Sequence, residues 1–215
     1  MDTSPTSASE SRSAGETEDR SLEELRTSLG QDYEVVRQLG KGAVATVYLA
    51  RDRALGVLVA IKVLRPGQAS DDTTRRRFDR EARAAASLAE HPNVVAVRRF
   101  GRLPDETPYL VMQYVKGRTM AERLKAEGRL SVAEARQVIR EVASALDVAH
   151  GKGIVHRDPQ PGNVLWDEEK RSALLTDFGI AAVLATSGED VTRLTKTGQL
   201  LGNPRYLSPE QLLDQ

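Results

Sequence analysis

The chain has 215 residues, which is enough for one large domain or two small ones. Lysine and arginine together number 31, as do aspartate and glutamate, so no overall charge favours nucleic acid or an anionic membrane as a partner. Cysteine is absent, which excludes disulfides and cysteine chemistry. No apolar run approaches the roughly 20 residues that cross a bilayer, so we predict a cytoplasmic protein with no membrane segment in this chain.

Residues 1–31 differ in composition from the rest of the chain. Ser, Thr, Glu, Pro and Gly dominate as far as Leu22, and such a segment buries too little apolar surface to offset the entropy lost on ordering. We therefore predict a disordered Ser/Thr/Glu-rich tail over residues 1–31, with a short frayed helix around Ser21–Leu29. Ordered structure is predicted to begin near Tyr33, within a folded domain of residues 32–215.

Strand-like and helix-like patterns follow in turn. Val44–Leu49 and Val57–Ile61 are rich in β-branched residues and are separated by a polar turn that ends in Gly56, which predicts an antiparallel meander. A helix is predicted over Thr74–Leu88, where apolar residues recur along one side. Pro92 ends it, because the residue before a proline avoids helical backbone. Two further strands are predicted at Val94–Phe100 and Tyr109–Val115.

Beyond Gly117 the pattern becomes helical. Two pairs, Thr119 with Glu122 and Ser131 with Glu134, have the spacing of a capping box at the start of a helix. After the second pair, apolar residues recur at three- and four-residue steps, as in an amphipathic helix: Ala135, Val138, Ile139, Val142, Leu146 and Ala149. A strand-rich first half and a helix-rich second half predict an α+β fold of two lobes, about residues 32–115 and 116–215, with a hinge around residues 113–117.

A glycine-rich turn lies between the first strand-like runs. Gly40 and Gly42, with Lys41 between them, allow backbone N–H groups to approach a phosphate closely. By itself this pattern is equally typical of a simple hairpin turn. A dinucleotide-binding fold would need a helix directly after the glycines, whereas the run from Val47 to Leu49 favours a strand.

Lys62 follows the apolar run Val59–Ile61. Burying its ammonium group is costly unless an anion lies close, and the natural candidates are a nucleotide phosphate and Glu81, on the apolar side of the predicted helix. Taken alone, a lysine at a strand end is more simply explained by a side chain that reaches water. The other motifs of the chain favour the first interpretation.

Two short loops carry the oxygen-rich side chains that phosphoryl transfer needs. The segment His156–Asn163 supplies Asp158 and Asn163, and Asp177-Phe178-Gly179 follows shortly after it. Two ordinary turns rich in Asp and Asn are the alternative. The order of the motifs, from the glycine turn and the strand lysine through these loops to Ser208-Pro209-Glu210, resembles the protein kinase family. The local phrases look most like bacterial serine/threonine kinases.

The resemblance implies a two-lobed kinase-like fold that binds ATP and Mg²⁺ and phosphorylates serine or threonine of a protein substrate. It implies a catalytic role for Asp158, an ion pair between Lys62 and Glu81, and magnesium ligation by Asn163 and Asp177. The residues it places around ATP are Leu39, Gly40, Lys41, Gly42, Val47, Ala60, Lys62, Gln113, Val115 and Leu165, with Met112 as gatekeeper.

A long polar stretch lies between Gly179 and Ser208. Phosphate can order such a segment by pairing with an arginine, and Arg157 is a candidate for that cation. We therefore expect phosphorylation at Thr195 or Thr197. An unmodified flexible loop is the alternative.

Three features depart from the family's pattern. Gln160 stands at a catalytic position where these kinases carry a lysine, and Asn203 replaces a threonine beside the same site. The chain also stops at Gln215, before the helices that complete the family's second lobe, so the resemblance is to a C-terminally incomplete domain. A neutral donor at Gln160 predicts impaired activity; the alternative is a weak or silent nucleotide-binding pseudokinase. A related small-molecule phosphotransferase is disfavoured by Ser208-Pro209-Glu210.

Overall fold

An antiparallel sheet of five strands forms the first half of the fold. The computed structural model describes residues 22–42, 45–65, 72–178 and 204–206, without the side chains of residues 72–75, 77, 81 and 204. In spatial order the strands are β1 (Tyr33–Lys41), β2 (Ala45–Asp52), β3 (Leu58–Leu64), β5 (Pro108–Gln113) and β4 (Val97–Arg102). The predicted meander is confirmed. β3 continues to the buried Leu64, so Lys62 lies inside the strand and not at its end.

Residues 22–29 form helix α1, which packs on the outer face of this sheet. Leu25 and Leu29 are 4% and 6% exposed and pack among side chains that include Tyr33 and Tyr48. The sequence predicted a frayed helix at the end of a disordered tail, and the packed part of the chain in fact begins before Tyr33. An isolated helix of this length is marginal. Its two leucines, one turn apart, complete a cluster whose other buried members come from the strands.

Helix α2 (Asp72–Ala86) covers the opposite face of the sheet. Phe78, Ala82 and Ala85 are buried in the apolar cluster on that side. Arg102 of β4 donates to both carboxylate oxygens of Asp79, at 3.0 and 3.1 Å, and so ties the helix to the sheet. The predicted helix is confirmed, with bounds two residues earlier than expected.

The second half of the fold combines helices with a small antiparallel sheet. Its elements are β6 (Gly117–Thr119), α3 (Met120–Glu127), α4 (Val132–Gly151), a 3-10 turn (Pro161–Asn163), β7 (Val164–Asp167) and β8 (Ser172–Leu175). A further 3-10 turn is described at Pro204–Tyr206. Both predicted capping boxes are confirmed. The strands of this sheet were not predicted from the sequence, because segments of three or four residues are too short to show a period.

One apolar cluster connects the two halves. It includes Met112 of β5 and Leu175 of β8. The Leu175 N–H donates to Asn93 O at 2.8 Å, and Leu175 O accepts from the Val95 N–H at 2.9 Å. The end of β8 is therefore fixed to the segment that precedes β4, which places the loop after β8 close to the first sheet.

The apolar face predicted on α4 is only partly covered. Ala145 and Ala149 are fully buried and Val138 and Val142 are half-buried, while Ile139 is 68% exposed. Of the helices in the described part of the chain, none combines the length and the apolarity that a bilayer span requires.

Candidate active site

The segment between α4 and β7 forms a loop around a buried histidine. The Nε2 of His156 lies 2.8 Å from Thr176 O, and its Nδ1 accepts a hydrogen bond from the Asp158 N–H at 3.3 Å. Burial lowers the pKa of His156, so the ring is neutral near pH 7 and its single proton sits on Nε2, where it is donated to Thr176 O. Arg157 turns the loop with a φ of +70°.

The carboxylate of Asp158 is held in place by two neutral amides. Gln160 Nε2 and Asn163 Nδ2 each donate to Asp158 Oδ2 at 2.8 Å. Asn163 Nδ2 also donates to Asp158 O at 2.9 Å. The 3-10 turn at Pro161–Asn163 folds the asparagine back onto the aspartate, and the Asn163 N–H donates to Gln160 O at 2.9 Å. The structure therefore brings together the three side chains that the sequence analysis placed in this loop.

The loop after β8 is joined to the first loop through the backbone. The Thr176 N–H donates to Asn163 O at 2.9 Å, beside the contact of Thr176 O with His156. Asp177 adopts a φ of +66°, which is sparsely populated by residues that carry a side chain and occurs often at functional sites. The buried ring of Phe178 packs against His156, with centroids 4.7 Å apart. The two predicted loops thus form a single site.

Lys62 reaches this site from the first sheet. Its Nζ lies 2.7 Å from Asp177 Oδ1, and the two side chains are 13% and 27% exposed. This partly buried ion pair satisfies the ammonium charge, so the alternative of a strand-end lysine in open water is wrong. The side chain of Glu81 lies outside the described residues, and its pairing with Lys62 stays a prediction.

The glycine turn is the connection between β1 and β2. Gly40 pairs with Val47, and the Gly42 N–H donates to Ala45 O at 2.8 Å. The strand β2 follows directly, which excludes the dinucleotide-binding alternative. Val47 in turn pairs with Lys62, so the hairpin adjoins the part of β3 that carries the lysine. Residues 43–44, at the tip of the turn, lie outside the described residues.

The residues predicted to enclose adenine lie mainly in the apolar cluster that connects the two halves. Its members from that set are Val47, Ala60, Met112, Val115 and Leu165. Gln113 differs in one respect, because its N–H already donates to Ala96 O at 2.8 Å. That N–H is therefore not available to a ligand. Leu39 is exposed near the end of β1.

Comparison with known proteins decides the family. The family model described as "Protein kinase domain" matches residues 33–215. The chain belongs to the protein kinase family. Serine/threonine-protein kinase PrkC of Bacillus subtilis (strain 168) is 44% identical over 179 residues, which are 83% of this chain and 26% of that protein. Serine/threonine-protein kinase PknB of Mycobacterium tuberculosis (strain ATCC 25618 / H37Rv) is 40% identical over 186 residues, 85% of this chain and 29% of that protein. The chain therefore spans less than a third of either relative.

The fold of this kinase agrees with solved kinase structures. The PknI kinase domain of Mycobacterium tuberculosis superposes with a TM-score of 0.63 at 39% identity, over 69% of this chain and 60% of that chain. Rad53 in complex with AMP-PNP superposes with a TM-score of 0.59 at 28% identity, over 75% of this chain and 42% of that chain. The predicted α+β kinase fold is confirmed.

Protein kinases use ATP with Mg²⁺, and the donors of this site fit that ion. Asn163 uses Nδ2 to hold Asp158, so its Oδ1 is the amide atom able to bind a cation. Asp177 contacts Lys62 through Oδ1, which leaves Oδ2 for the same purpose. Hard oxygen donors of this kind suit Mg²⁺, which needs few protein ligands when phosphates supply the rest.

A cavity of about 520 Å³ lies elsewhere in the kinase, on the outer face of the first sheet. Leu25 of α1, Tyr48 and Val63 line its apolar side. Val63 and Lys62 are neighbours in one strand, so their side chains point to opposite faces. The sheet therefore separates this cavity from the loops of the active site.

Several predicted residues of the kinase lie outside the described residues. These are the phosphorylation candidates Thr195 and Thr197, Asn203, and the segment Ser208-Pro209-Glu210. Their predicted roles stay predictions.

Two residues that support the site were not predicted from the sequence. His156 was noted only as part of its motif, although its ring joins the two loops. Asn93 was not singled out, yet its Nδ2 donates to Ala173 O at 2.9 Å and its carbonyl accepts from the Leu175 N–H. The available signal was a polar residue directly before the apolar run that begins at Val94.

Proposed function

We propose that this kinase domain transfers the γ-phosphoryl group of ATP to serine or threonine hydroxyls of a protein substrate. The observation that carries the proposal is the Lys62–Asp177 contact in a loop that is hydrogen-bonded to the loop of Asp158, a carboxylate whose direction two amides fix. PrkC and PknB are named as serine/threonine kinases, which supports the same activity. Because ATP is a cytoplasmic substrate, we further propose that the domain acts in the cytoplasm.

Asp158 is the group we assign to the substrate hydroxyl. With Oδ2 held by Gln160 and Asn163, the carboxylate can orient the hydroxyl and accept its proton as the bond to phosphorus forms. Phosphoryl transfer depends more on positioning than on a strong base. A carboxylate of ordinary basicity is therefore sufficient if its direction is fixed.

We propose that Asn163 Oδ1 and the Asp177 carboxylate bind Mg²⁺. Lys62 is proposed to bind the nucleotide phosphates. Bound Mg²⁺ neutralises charge that develops on the phosphoryl oxygens. The contact with Asp177 holds Lys62 Nζ beside the carboxylate that we assign to the metal. Glu81 is proposed to pair with Lys62 when nucleotide is bound.

We assign the nucleotide base to the apolar residues beside the hinge. Val47, Ala60 and Leu165 would contact the adenine ring, while Gln113 O and the backbone of Val115 would bond its edge. The exposed backbone of Gly40 and Gly42 would cover the phosphates, together with Leu39 and Lys41.

The proposal is tested by measuring binding and transfer separately. Calorimetry with Mg²⁺ and ATP should give heat of binding, and transfer of radiolabel to a generic protein substrate should disappear in Asp158→Asn while binding persists. The matched control is Asp105→Asn, in the turn between β4 and β5, which should retain both. No binding by the folded wild-type chain would overturn the proposal. Binding without transfer dependent on Asp158 would instead identify a silent pseudokinase.

Phosphorylation of Thr195 or Thr197 is part of this proposal. A phosphate on either threonine would add negative charge to the segment that follows Asp177 in the sequence, and we assign Arg157, which is exposed and next to Asp158 in the chain, as the cation that pairs with it. Phosphopeptide mapping after incubation with Mg²⁺ and ATP should find at least one of the two sites modified. The same mapping of the Asp158→Asn variant distinguishes self-phosphorylation from phosphate added by another kinase during expression. Two unmodified threonines in the wild type would contradict the proposal.

A further inference from the structure

Helix α1 lies outside the part of the chain that the kinase family model matches, which begins at residue 33. It is nevertheless anchored at three places. Leu25 and Leu29 are buried against the sheet, Arg53 Nε donates to Gly30 O at 2.9 Å, and Arg99 Nη1 donates to Asp32 Oδ2 at 3.0 Å. These contacts fix the helix and the turn after it relative to β1.

One residue of α1 also bonds directly to the backbone of β1. Arg26 Nε donates to Val35 O at 3.2 Å, and its Nη2 lies 3.5 Å from Val36 O. The guanidinium is held from the other side by Glu23, whose Oε2 accepts from Nη1 at 3.2 Å. Arg26 thus connects α1 to two consecutive carbonyl groups of the strand.

These two carbonyls lie at an irregularity of the sheet. The pairing of β1 with β2 shifts register between Val35 and Arg37, and again between Gln38 and Gly40. A bulge leaves a residue without its regular partner, bends the strand and increases its twist, and bulges are common beside active sites. The course of β1 through these shifts therefore decides where Gly40 and Gly42 lie.

We propose that Arg26 is a positioning residue for the glycine turn, which acts by fixing the bulge at Val36 from the outer face of the sheet. The consequence for nucleotide affinity rests on the proposed function, since it requires that the turn cover ATP. The effect of Arg26 on the backbone of β1 does not depend on the proposed function, because it requires no nucleotide. An arginine suits this task, since its fork of donors can bond two carbonyls at once.

The test compares Arg26→Ala with Arg26→Lys and with Arg51→Ala in the 215-residue chain. Arg51 is the matched control, because it is exposed and donates a similar bond, at 3.0 Å, to Gly56 O in the turn between β2 and β3. Amide hydrogen exchange of residues 40–42 and the dissociation constant for Mg²⁺ and ATP are measured on each variant. The melting temperature of each is recorded alongside.

We expect Arg26→Ala to accelerate amide exchange in the glycine turn and to weaken nucleotide binding, each by about fivefold. The magnitude follows because the loss of one partly exposed hydrogen bond changes an equilibrium constant by a factor of about two to ten. Arg26→Lys should give an intermediate result, and Arg51→Ala should leave both quantities unchanged. Equal exchange in the two alanine variants would overturn the proposal. So would faster exchange spread evenly over β3 and β5, which would indicate general destabilisation. If the wild-type chain binds no nucleotide, the proposed function fails, while the exchange comparison still decides the role of Arg26.

Discussion

Replacing Gln160 by alanine removes one of the two donors that fix the Asp158 carboxylate. The bond from Gln160 Nε2 to Asp158 Oδ2 is 2.8 Å long and half-buried, and the bond from Asn163 Nδ2 at 2.8 Å remains. A hydrogen bond to a charged acceptor contributes roughly 1.5–3 kcal/mol. Because the site is partly open and one donor remains, we take the lower end, which corresponds to about a tenfold loss of rate.

The assay is transfer of radiolabel from ATP to a peptide substrate at saturation, so that kcat is measured directly. Gln160→Ala should lower kcat about tenfold, less than the roughly 10²–10⁴-fold expected for loss of the orienting group in Asp158→Asn. The KM for ATP should change little, because Gln160 bonds to Asp158 and not to Lys62 or Asp177. Gln160→Lys adds a positive charge next to the transferred group and should raise kcat above the wild-type value.

The matched control is Gln137→Ala. Gln137 lies on α4 and donates to Arg171 O at 2.7 Å, so the substitution also removes an amide donor, but one remote from the two loops. A wild-type kcat for Gln160→Ala would refute the reasoning that Asp158 depends on this donor. An equal fall in the Gln137 variant would refute it as well, since the effect would then come from general destabilisation.

Three further predictions concern stability. In Gly117→Ala the added Cβ would collide with Trp166 O, so β6 and β7 must separate and thermal denaturation should show a loss of about 3 kcal/mol of stability. In the control Gly151→Ala the Cβ has no neighbour within 4 Å, and the substitution should cost nothing. Thr119→Ala removes the bond that the capping hydroxyl accepts from the backbone of α3 and should lower the free energy of unfolding by about 1 kcal/mol in urea titrations, with no such loss in the conservative Thr119→Ser. Burial lowers the pKa of His156 below its usual 6.5, so the imidazole is protonated more readily in the unfolded chain than in the folded chain. The free energy of unfolding should therefore fall as the pH drops below about 6.5. Between pH 7.5 and 5.5 the fall should be smaller in His156→Gln than in the wild type. An identical pH dependence in the two proteins would contradict the assignment to His156.

Features that depend on neighbouring residues could be predicted from the sequence. The two capping boxes are formed within four residues, so their side-chain spacing was enough to place the starts of α3 and α4. The alternation and length of apolar runs likewise predicted β2, β3 and α2 to within a few residues. The candidate site could be named because its residues lie in short motifs whose order is specific to the kinase family.

What the sequence alone determined is therefore the order of the strands of the first sheet and of the helices α2, α3 and α4, together with the chemistry of the loops that hold Asp158 and Asp177. Only the tertiary structure decided which distant groups meet. Lys62 and Asp177 are 115 residues apart and touch because β8 is hydrogen-bonded to the segment before β4 and shares an apolar cluster with the first sheet. The leucines of α1 are buried for the same kind of reason, since no pattern within residues 22–29 reveals the face of β1 and β2 that receives them. Burial and long-range pairing depend on the whole packed core, and local periodicity does not contain them.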